Sequence, residues 1–427
     1  MGIMWLGHIL TPGYIRQFLT EKKGGWIMRR IGYGRIMIFI VLSLFIASTS
    51  FAGNPKAKPF LPDIPKTWTQ ITPEPTTFMG RDLVPTCSGA PETNPTFSFF
   101  VKGGKVNNLV VYFQGGGACW HPMNCLYAPT YTQEIEVTTQ ELSQAKGIFD
   151  TTNPADPFKD WSFVAIPYCT GDIHWGSSDY AYPYGPGTYT IHHRGFDNFL
   201  VVLKWITENF KEPHSIFVTG SSAGAYGAIL GFPYIQEAYP KAKVSIVGDA
   251  GNGVITEDFH TGYINNWNIQ PNMPQWIPGF ERPFSEYTIA DVYKMIADYY
   301  PHRKLGQYTT EWDWNQTFFY NVMLNIADPS KWGNWPLVWC DWHAQMLSFV
   351  YDAAMAPNYR YYIGPGTDHT IMGSPKFYTE ESDGILLVDW IAAMVGNQGG
   401  TKGHGGIPWA NADCLDCGDP PLPFPCP

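Results

Sequence analysis

The sequence predicts an α/β fold in which a mostly parallel sheet is flanked by helices. Short apolar runs rich in β-branched residues alternate along the chain with segments whose apolar residues recur at helical spacing. Strands that are joined by helices in this way form parallel sheets covered on both faces. With 427 residues, of which 44% are hydrophobic, the chain is long enough for one large core. We therefore expect a single domain over residues 53–427, with Pro-rich ends.

The predicted core begins near Thr96 and contains five strands. Each strand is a short apolar run that ends at glycine, proline or polar residues. Apolar residues at helical spacing predict a helix over residues 196–210, with Asp197 near its start as a candidate N-cap. Another helix is expected over residues 385–395. The five strands are expected at residues 108–113, 161–166, 215–219, 243–247 and 359–363.

The stretch from about Asn252 to Trp342 interrupts this alternation. It is rich in Trp, Tyr, Asn and Pro, and it predicts an aromatic-rich insertion. Ligands of open α/β sheets bind at the carboxyl ends of the strands, so an insertion there would form the walls of a substrate site. The aromatic content of the whole chain, 16%, fits either a thick aromatic core or a cleft for sugars or other bulky substrates.

Residues 1–52 are predicted to be a signal peptide. Arginines that closely follow Met28 precede an apolar run at residues 36–46, and small residues ending at Ala52 suit cleavage after that residue. Met28 is the expected true start, because the stretch before it has no targeting features. The apolar run is short for a transmembrane helix, so a retained membrane anchor is the lesser alternative. We expect a secreted or periplasmic protein.

Eight cysteines follow the predicted cleavage site, an even number that suits disulfides in an oxidising compartment. Cys119 and Cys125 are expected to pair, which closes a short loop beside a glycine run. The spacing of Cys414 and Cys417 could suggest a metal or redox motif. They lie in a Pro-rich tail with neither a second cysteine pair nor a histidine at ligand spacing, so a structural disulfide role is expected.

The charge distribution argues against nucleic-acid binding. The formal net charge is −10, and the chain lacks any run of five or six like charges. Nucleic-acid binding needs a basic surface, which this composition does not supply. We expect no nucleic-acid partner, no cofactor and no metal.

The segment Gly-Ser-Ser-Ala-Gly at residues 220–224 matches the nucleophile elbow Gly-x-Ser-x-Gly. The elbow is a sharp turn from strand to helix that lifts the serine hydroxyl clear of the sheet, and small neighbours relieve the crowding of the backbone there. A predicted strand precedes the segment and a plausible helix start at 225–230 follows it, which favours an elbow over a plain turn. Ser222 is the predicted nucleophile, and Ser221 is expected to point away.

A glycine run at residues 115–117 follows the first predicted strand. Glycines at such a position allow backbone N–H groups to approach a developing oxyanion closely. The run could be a bare turn, but its combination with a downstream elbow favours an oxyanion loop. The predicted donors are the backbone N–H groups of Gly117, Ala118 and Ala223.

The general base should follow the elbow if the chain order is serine, acid, histidine. Of His260, His302, His343 and His369, the last lies in a loop directly after the strand at 359–363, where its ring can reach over the sheet edge. His369 is therefore the predicted base that takes the serine proton and returns it to the leaving alcohol. Spacing alone does not choose the acid among Asp249, Asp258, Asp291, Asp298, Asp313, Asp328, Asp341, Asp352 and Asp368.

These motifs resemble the pectin acetylesterase and Notum-type carboxylesterase family. The matching stretches spread over roughly residues 87–395 and comprise residues 112–120, 166–174, 219–227, 313–316 and 366–369. The resemblance implies an α/β-hydrolase fold and a Ser-Asp-His triad whose acid, in an Asp-x-x-Gln segment, is Asp313, followed by Gln316. It also implies oxyanion donors at the positions after the second glycine and after the nucleophile.

The sequence departs from the family at Ala118, where several members carry a tryptophan. The pocket mouth beside the oxyanion loop can therefore differ, and the substrate class cannot be copied from the family. Asp172 and His174 lie in one of the matching stretches. They are expected either to line the cleft and position substrate or to have a structural role.

Three functions remain open at this point. The leading expectation is an extracellular deacetylase of acetylated polysaccharide, with sugar rings stacked on the aromatic insertion. The alternative is a carboxylesterase for acyl chains or polyesters that uses the same aromatic residues as an apolar trough. A catalytically silent binding protein of esterase fold is the third, and the complete set of Ser222, His369 and a candidate acid argues against it.

Overall fold

A sheet of eight strands lies at the centre of the described residues. In chain order, the strands are β1 (Thr69–Ile71), β2 (Phe99–Lys102), β3 (Asn108–Phe113), β4 (Ser162–Ile166), β5 (Ser215–Ser221), β6 (Lys243–Asp249), β7 (Lys304–Thr310) and β8 (Tyr359–Gly364). Across the sheet they follow the order β1-β2-β4-β3-β5-β6-β7-β8. The strands from β3 to β8 run parallel, whereas β2 is antiparallel to both of its neighbours.

The computed structural model describes residues 60–396, 409–414 and 426. The predicted signal peptide, the expected start at Met28 and Cys417 lie outside these residues. The described residues all belong to one compact unit that covers residues 58–427.

Helices connect the strands and cover both faces of the sheet. They are α1 (Thr139–Gln144), α2 (Gly195–Asn209), α3 (Ala223–Ala238), α4 (Glu257–Thr261), α5 (Ile289–Tyr299), α6 (Trp314–Leu324), α7 (Trp339–Ala353) and α8 (Leu387–Val395). Leu109 and Val111 of β3 pack in the same apolar cluster as α2, α3 and α5, whereas Val110 packs in the cluster that contains α8. This alternation follows from the pleat, which turns successive side chains to opposite faces.

The five strands expected from the sequence are all present, with ends that differ by at most two residues. The helix expected at 196–210 is α2. The helix expected at 385–395 begins as a short strand, Ile385–Leu386, and becomes helical at Leu387. Every residue of β5 is buried, as expected for a central parallel strand covered on both faces.

The expected extent of the aromatic-rich insertion is wrong. Strand β7 and helix α5 lie inside the stretch 252–342, and β7 occupies a central position between β6 and β8. The strand escaped detection because its sequence, Lys-Leu-Gly-Gln-Tyr-Thr-Thr, lacks an apolar run. Its polar residues are paired instead: buried Gln307 accepts a hydrogen bond from the hydroxyl of Tyr359 at 2.6 Å and donates one to the carbonyl of Gly251 at 3.2 Å.

Disulfides tie several loops to the core. The expected bond between Cys119 and Cys125 is present, and two further bonds join Cys87 to Cys169 and Cys340 to Cys426. Cys414 is also disulfide-bonded. Across the part of the chain that the structure describes, none of the helices combines the length and apolar character that crossing a bilayer requires.

Candidate active site

The predicted site residues gather at the carboxyl edge of the parallel strands. The glycine run follows β3, Ser222 follows β5, and Asp249 ends β6. Asp313 lies three residues after β7, and His369 lies in the loop after β8. Since adjacent parallel strands end at the same edge of a sheet, residues distant in sequence meet here.

The turn at Ser222 has the strained backbone of a nucleophile elbow. Ser222 joins β5 to α3 with φ 57° and ψ −124°, a conformation that is rare for a residue other than glycine. A Cβ atom at Gly220 would collide with the carbonyl of Gly224, and one at Gly224 with the carbonyl of Phe113. These two collisions explain why the motif needs glycine on both sides of the serine.

The two serines of the motif differ in their contacts. Ser221 is buried, and its hydroxyl donates a 2.6 Å hydrogen bond to Oδ2 of Asp249. Ser222 is partly exposed and lines an open depression together with His369. Within the described residues, no side-chain hydrogen bond joins Ser222 to His369. Contacts of this kind in free enzymes are often long and shorten when substrate binds.

Asp313 lies beside the ring of His369. Its Oδ2 atom is 2.8 Å from Nδ1 of the imidazole, and the carboxylate is fully buried. Asp313 also caps α6, because Oδ1 accepts hydrogen bonds from the backbone N–H groups of Asn315 at 3.0 Å and Gln316 at 2.9 Å. Of the acid candidates that spacing left open, Asp313 is therefore the one whose carboxylate faces the ring.

The charge of Asp313 changes the ionisation of His369. Burial by itself lowers the pKa of the imidazole, but the charge of Asp313 and its hydrogen bond outweigh this effect, so the pKa is raised above its usual value. A hydrogen bond from Nδ1–H to the carboxylate leaves Nε2 as the basic atom of the neutral ring. That is the tautomer a general base requires.

Gln316 holds the acid in place. Its Nε2 group is within hydrogen-bonding distance of Oδ2 of Asp313 at 3.0 Å, and of Asn252 Oδ1 and Thr309 Oγ1, each at 3.1 Å. Its Oε1 atom accepts the backbone N–H of Asn252 at 2.9 Å. Asn252 and Thr309 were not singled out from the sequence, because nothing in their spacing marks them as neighbours of the acid.

The three predicted oxyanion donors are not equivalent. Gly117 has φ 74°, and a Cβ atom there would collide with the carbonyl of Thr130, so the position requires glycine. The N–H of Ala118 already donates to that same carbonyl at 3.3 Å. Ala223 is the first residue of α3, where backbone N–H groups have no partner within the helix. Of the three predicted donors, Ala118 is therefore the one whose N–H already has a partner.

Asp172 and His174 are buried, and neither is among the residues that line the two spaces at Ser222. Asp172 is fully buried and accepts hydrogen bonds from Thr170 Oγ1 at 2.6 Å and the Gly195 N–H at 2.7 Å. Nε2 of His174 bonds the carbonyl of Gln114, directly before the glycine run, at 2.9 Å. Burial lowers the pKa of His174 to about 4. These contacts favour the structural role of the two that the sequence left open.

Two spaces meet at Ser222. One is an apolar pocket that Gly117, Ala118, Ser222 and Ala223 share with side chains from the aromatic-rich stretch. The other is an open depression, equally polar and apolar, that contains Ser222, His369 and the glycine run. The apolar walls of the pocket include Ile255, Phe259, Ile264, Trp267, Phe284 and Phe319. As expected, residues of this stretch form walls of the site, and they come from the segments both before and after β7 in the sequence.

One group of described residues has a spacing that could suit a metal: Cys119, Cys125 and His193. The two sulfur atoms are joined in a disulfide, so neither is a thiolate. Both ring nitrogens of His193 are engaged, Nδ1 with the carbonyl of Thr170 and Nε2 with the hydroxyl of Tyr182, each at 2.9 Å. The chemistry of this group does not suit a metal.

Comparisons with known proteins show what the chain is similar to. Residues 93–267 match the family model described as Pectinacetylesterase. Pectin acetylesterase 11 of Arabidopsis thaliana is 27% identical over 170 residues, and pectin acetylesterase 7 of the same plant is 25% identical over 169. Each match covers 39% of this chain and 42% of the relative, so it spans about two fifths of the length of either relative.

Among solved structures, the Wnt deacylase Notum from Drosophila has the same fold. The TM-score is 0.51 at 14% sequence identity, and the superposition covers 77% of this chain and 93% of Notum. The central sheet, mostly parallel and flanked by helices, is that of an α/β-hydrolase-like protein. Over residues 93–267 the chain is similar to the pectin acetylesterases, and its fold is similar to that of Notum.

Proposed function

We propose that the protein is a serine carboxylic-ester hydrolase with Ser222 as nucleophile, His369 as general base and Asp313 as the acid that orients the imidazole. The observation that carries the proposal is the 2.8 Å contact between His369 Nδ1 and the buried carboxylate of Asp313, at a depression that also contains Ser222. A partly exposed serine at a strained elbow is the second requirement of this chemistry. The similarity to pectin acetylesterases supports an esterase or deacylase.

The reaction proceeds in two halves. His369 Nε2 takes the proton of the Ser222 hydroxyl as its oxygen attacks the ester carbonyl, and the N–H groups of Gly117 and Ala223 stabilise the resulting oxyanion. Collapse of this tetrahedral intermediate breaks the bond to the alcohol, which leaves with the proton from His369. Water then attacks the acyl-enzyme, with the same proton transfers, and the acid is released.

The proposed natural substrate is an acetylated polysaccharide outside the cell. The open depression suits a large alcohol, because it leaves room for a polymer beside Ser222. Trp314 follows the acid directly and is 41% exposed, and Phe318, one helical turn later, lines the depression. Aromatic side chains so arranged can stack on sugar rings. The predicted signal peptide and the disulfides support this location.

A second candidate, an esterase for longer acyl groups, is favoured by the apolar pocket. The space open to the centres of water molecules there is about 70 Å³. Since one water needs roughly 10–15 Å³ of such space, the pocket has room for roughly half a dozen small groups. An acetyl methyl would leave most of it empty. Butyryl or hexanoyl chains would fill it better.

Acid release from a substrate panel tests the proposal. The wild-type protein is expected to release acetate from acetylated pectin or acetylated xylan, and Ser222→Ala is the inactive control. Nitrophenyl esters of rising chain length, run in parallel, separate the two candidates. Release from short acyl esters without release from the polymers would favour the second candidate. No release from any ester would support the silent binding protein instead.

A further inference from the structure

Asp249 connects the nucleophile elbow to the loop that carries the base. Its backbone carbonyl accepts the N–H of Ser222 at 2.7 Å. Its carboxylate is fully buried, and Oδ2 accepts the hydroxyl of Ser221 at 2.6 Å, the N–H of Met372 at 3.0 Å and the N–H of Ile371 at 3.1 Å. Ile371 N is also 3.2 Å from Oδ1. One residue therefore contacts both sides of the proposed reacting pair.

We propose that Asp249 is a positioning residue that fixes the separation of Ser222 and His369, an inference that rests on the proposed function. The order of the sheet makes such a residue necessary, because β6 and β7 lie between the strand before Ser222 and the strand before His369. Backbone pairing therefore does not join the two loops directly. Asp249, at the end of β6, reaches the loop after β8 through the backbone amides of Ile371 and Met372.

The network suits a carboxylate at this position. Two backbone amides and one hydroxyl converge on Oδ2 of Asp249, and Oδ1 is a second acceptor for the N–H of Ile371 at 3.2 Å. An asparagine with its oxygen at the place of Oδ2 would put its NH2 group at the place of Oδ1, where it would oppose the N–H of Ile371. Asp249 does not act as the triad acid, because Nδ1 of His369 is bonded to Asp313.

The charge of Asp249 also reaches His369. Burial raises the pKa of Asp249 to about 6, against the lowering effect of its hydrogen bonds. The other ionisable neighbours are Tyr112 of β3, whose pKa burial raises to about 12, and Tyr308 of β7, whose pKa burial also raises. Both are uncharged near neutral pH. The negative charge of Asp249 adds to that of Asp313 in raising the pKa of His369.

Asp249→Asn tests the inference with two readouts. The first is the pKa of the His369 ring, followed by NMR titration and assigned by its absence in His369→Gln, and we expect it to fall. The second is hydrolysis of nitrophenyl acetate, for which kcat should fall about 10²-fold, as for a displacement of about 1 Å, with KM nearly unchanged. Asp368→Asn is the matched control. It removes a carboxylate next to His369 in sequence that pairs with Lys376 at the surface, and both readouts should stay near wild type.

If Asp249→Asn does not fold, Ser221→Ala tests the positioning role of Asp249 instead. It keeps the charge but removes one donor, so kcat should fall roughly threefold to tenfold while the pKa of His369 stays near wild type. An unchanged kcat in either variant of a hydrolysing enzyme, or an unchanged His369 pKa in Asp249→Asn, overturns the inference. A wild-type protein that hydrolyses no ester refutes the proposed function instead, and the titration still measures the effect of Asp249 on His369.

Discussion

Replacing Asp313 by asparagine is expected to remove nearly all activity and to leave the protein folded. The carboxylate receives two backbone N–H groups on Oδ1, and Gln316 Nε2 and His369 Nδ1 on Oδ2. An asparagine that keeps its oxygen toward the helix amides preserves the cap of α6. Its NH2 group then faces His369, where it can bond only an unprotonated Nδ1.

This arrangement selects the wrong tautomer. The ring proton moves to Nε2, which can no longer accept the proton of Ser222. From this loss alone we expect kcat to fall about 10⁴-fold, with KM largely unchanged. The loss of charge should also lower the pKa of His369, since the charge and hydrogen bond of Asp313 raise it in the wild type.

Steady-state kinetics on nitrophenyl acetate, with circular dichroism to check folding, measures these effects. Asp328→Asn is a suitable control, because Asp328 also precedes a helical segment but is partly exposed and pairs with Lys331. A folded Asp313→Asn variant with near wild-type kcat would refute the assignment. If Asp249→Asn then lost activity to that extent, Asp249 would be the acid.

Four further outcomes are expected. The acid limb of kcat/KM against pH should have its midpoint above the usual histidine value of about 6.5, because catalysis needs neutral His369 and its pKa is raised; a midpoint below about 6 would contradict this. Across nitrophenyl esters, kcat/KM should stay nearly constant from the acetyl ester to acyl chains of roughly six carbons and should fall for the dodecanoyl ester. A higher kcat/KM for the dodecanoyl ester would exclude a pocket of this size. Gly224→Ala should lower the free energy of unfolding by about 1–3 kcal/mol, because the added Cβ atom collides with a carbonyl of β3. Gly333→Ala, at a position with open space, should leave this free energy nearly unchanged. Equal denaturation midpoints for the two variants would refute the steric argument. Paired replacement of Cys87 and Cys169 by serine should lower stability by about 2–5 kcal/mol in urea denaturation, and an unchanged midpoint would show that this bond contributes little.

The sequence predicts the nucleophile better than the acid for a physical reason. The strand before Ser222 is a continuous apolar run, since β5 is buried on both faces, and the glycines of the elbow are dictated by backbone collisions. Asp313 instead follows β7, whose burial depends on hydrogen bonds of Gln307 that only the folded structure reveals. Had β7 been recognised, Asp313 would have joined Asp249 and Asp368 as a candidate close to the end of a strand, and the family resemblance would still have been needed to choose among them.

The sequence also does not indicate which polar side chains are buried. Asp172 and His174 lie in a segment shared with the family, and nothing in their spacing distinguishes a residue that lines a cleft from one that supports it. The structure makes the distinction, because both side chains are buried and bonded to backbone groups. The hydrogen bond from the N–H of Ala118 to the carbonyl of Thr130 could not be predicted for the same reason, since it depends on how the folded chain brings Thr130 close.

Labelling with a fluorophosphonate probe, followed by peptide mass spectrometry, measures whether Ser222 is an activated nucleophile. We expect a single label on Ser222, no label in Ser222→Ala, and retained labelling in Ser221→Ala. The label should also form more slowly in Asp313→Asn, because the base is then in the wrong tautomer. A folded protein that takes up no label, or that takes it up equally in Ser222→Ala, would refute the role of Ser222 as nucleophile.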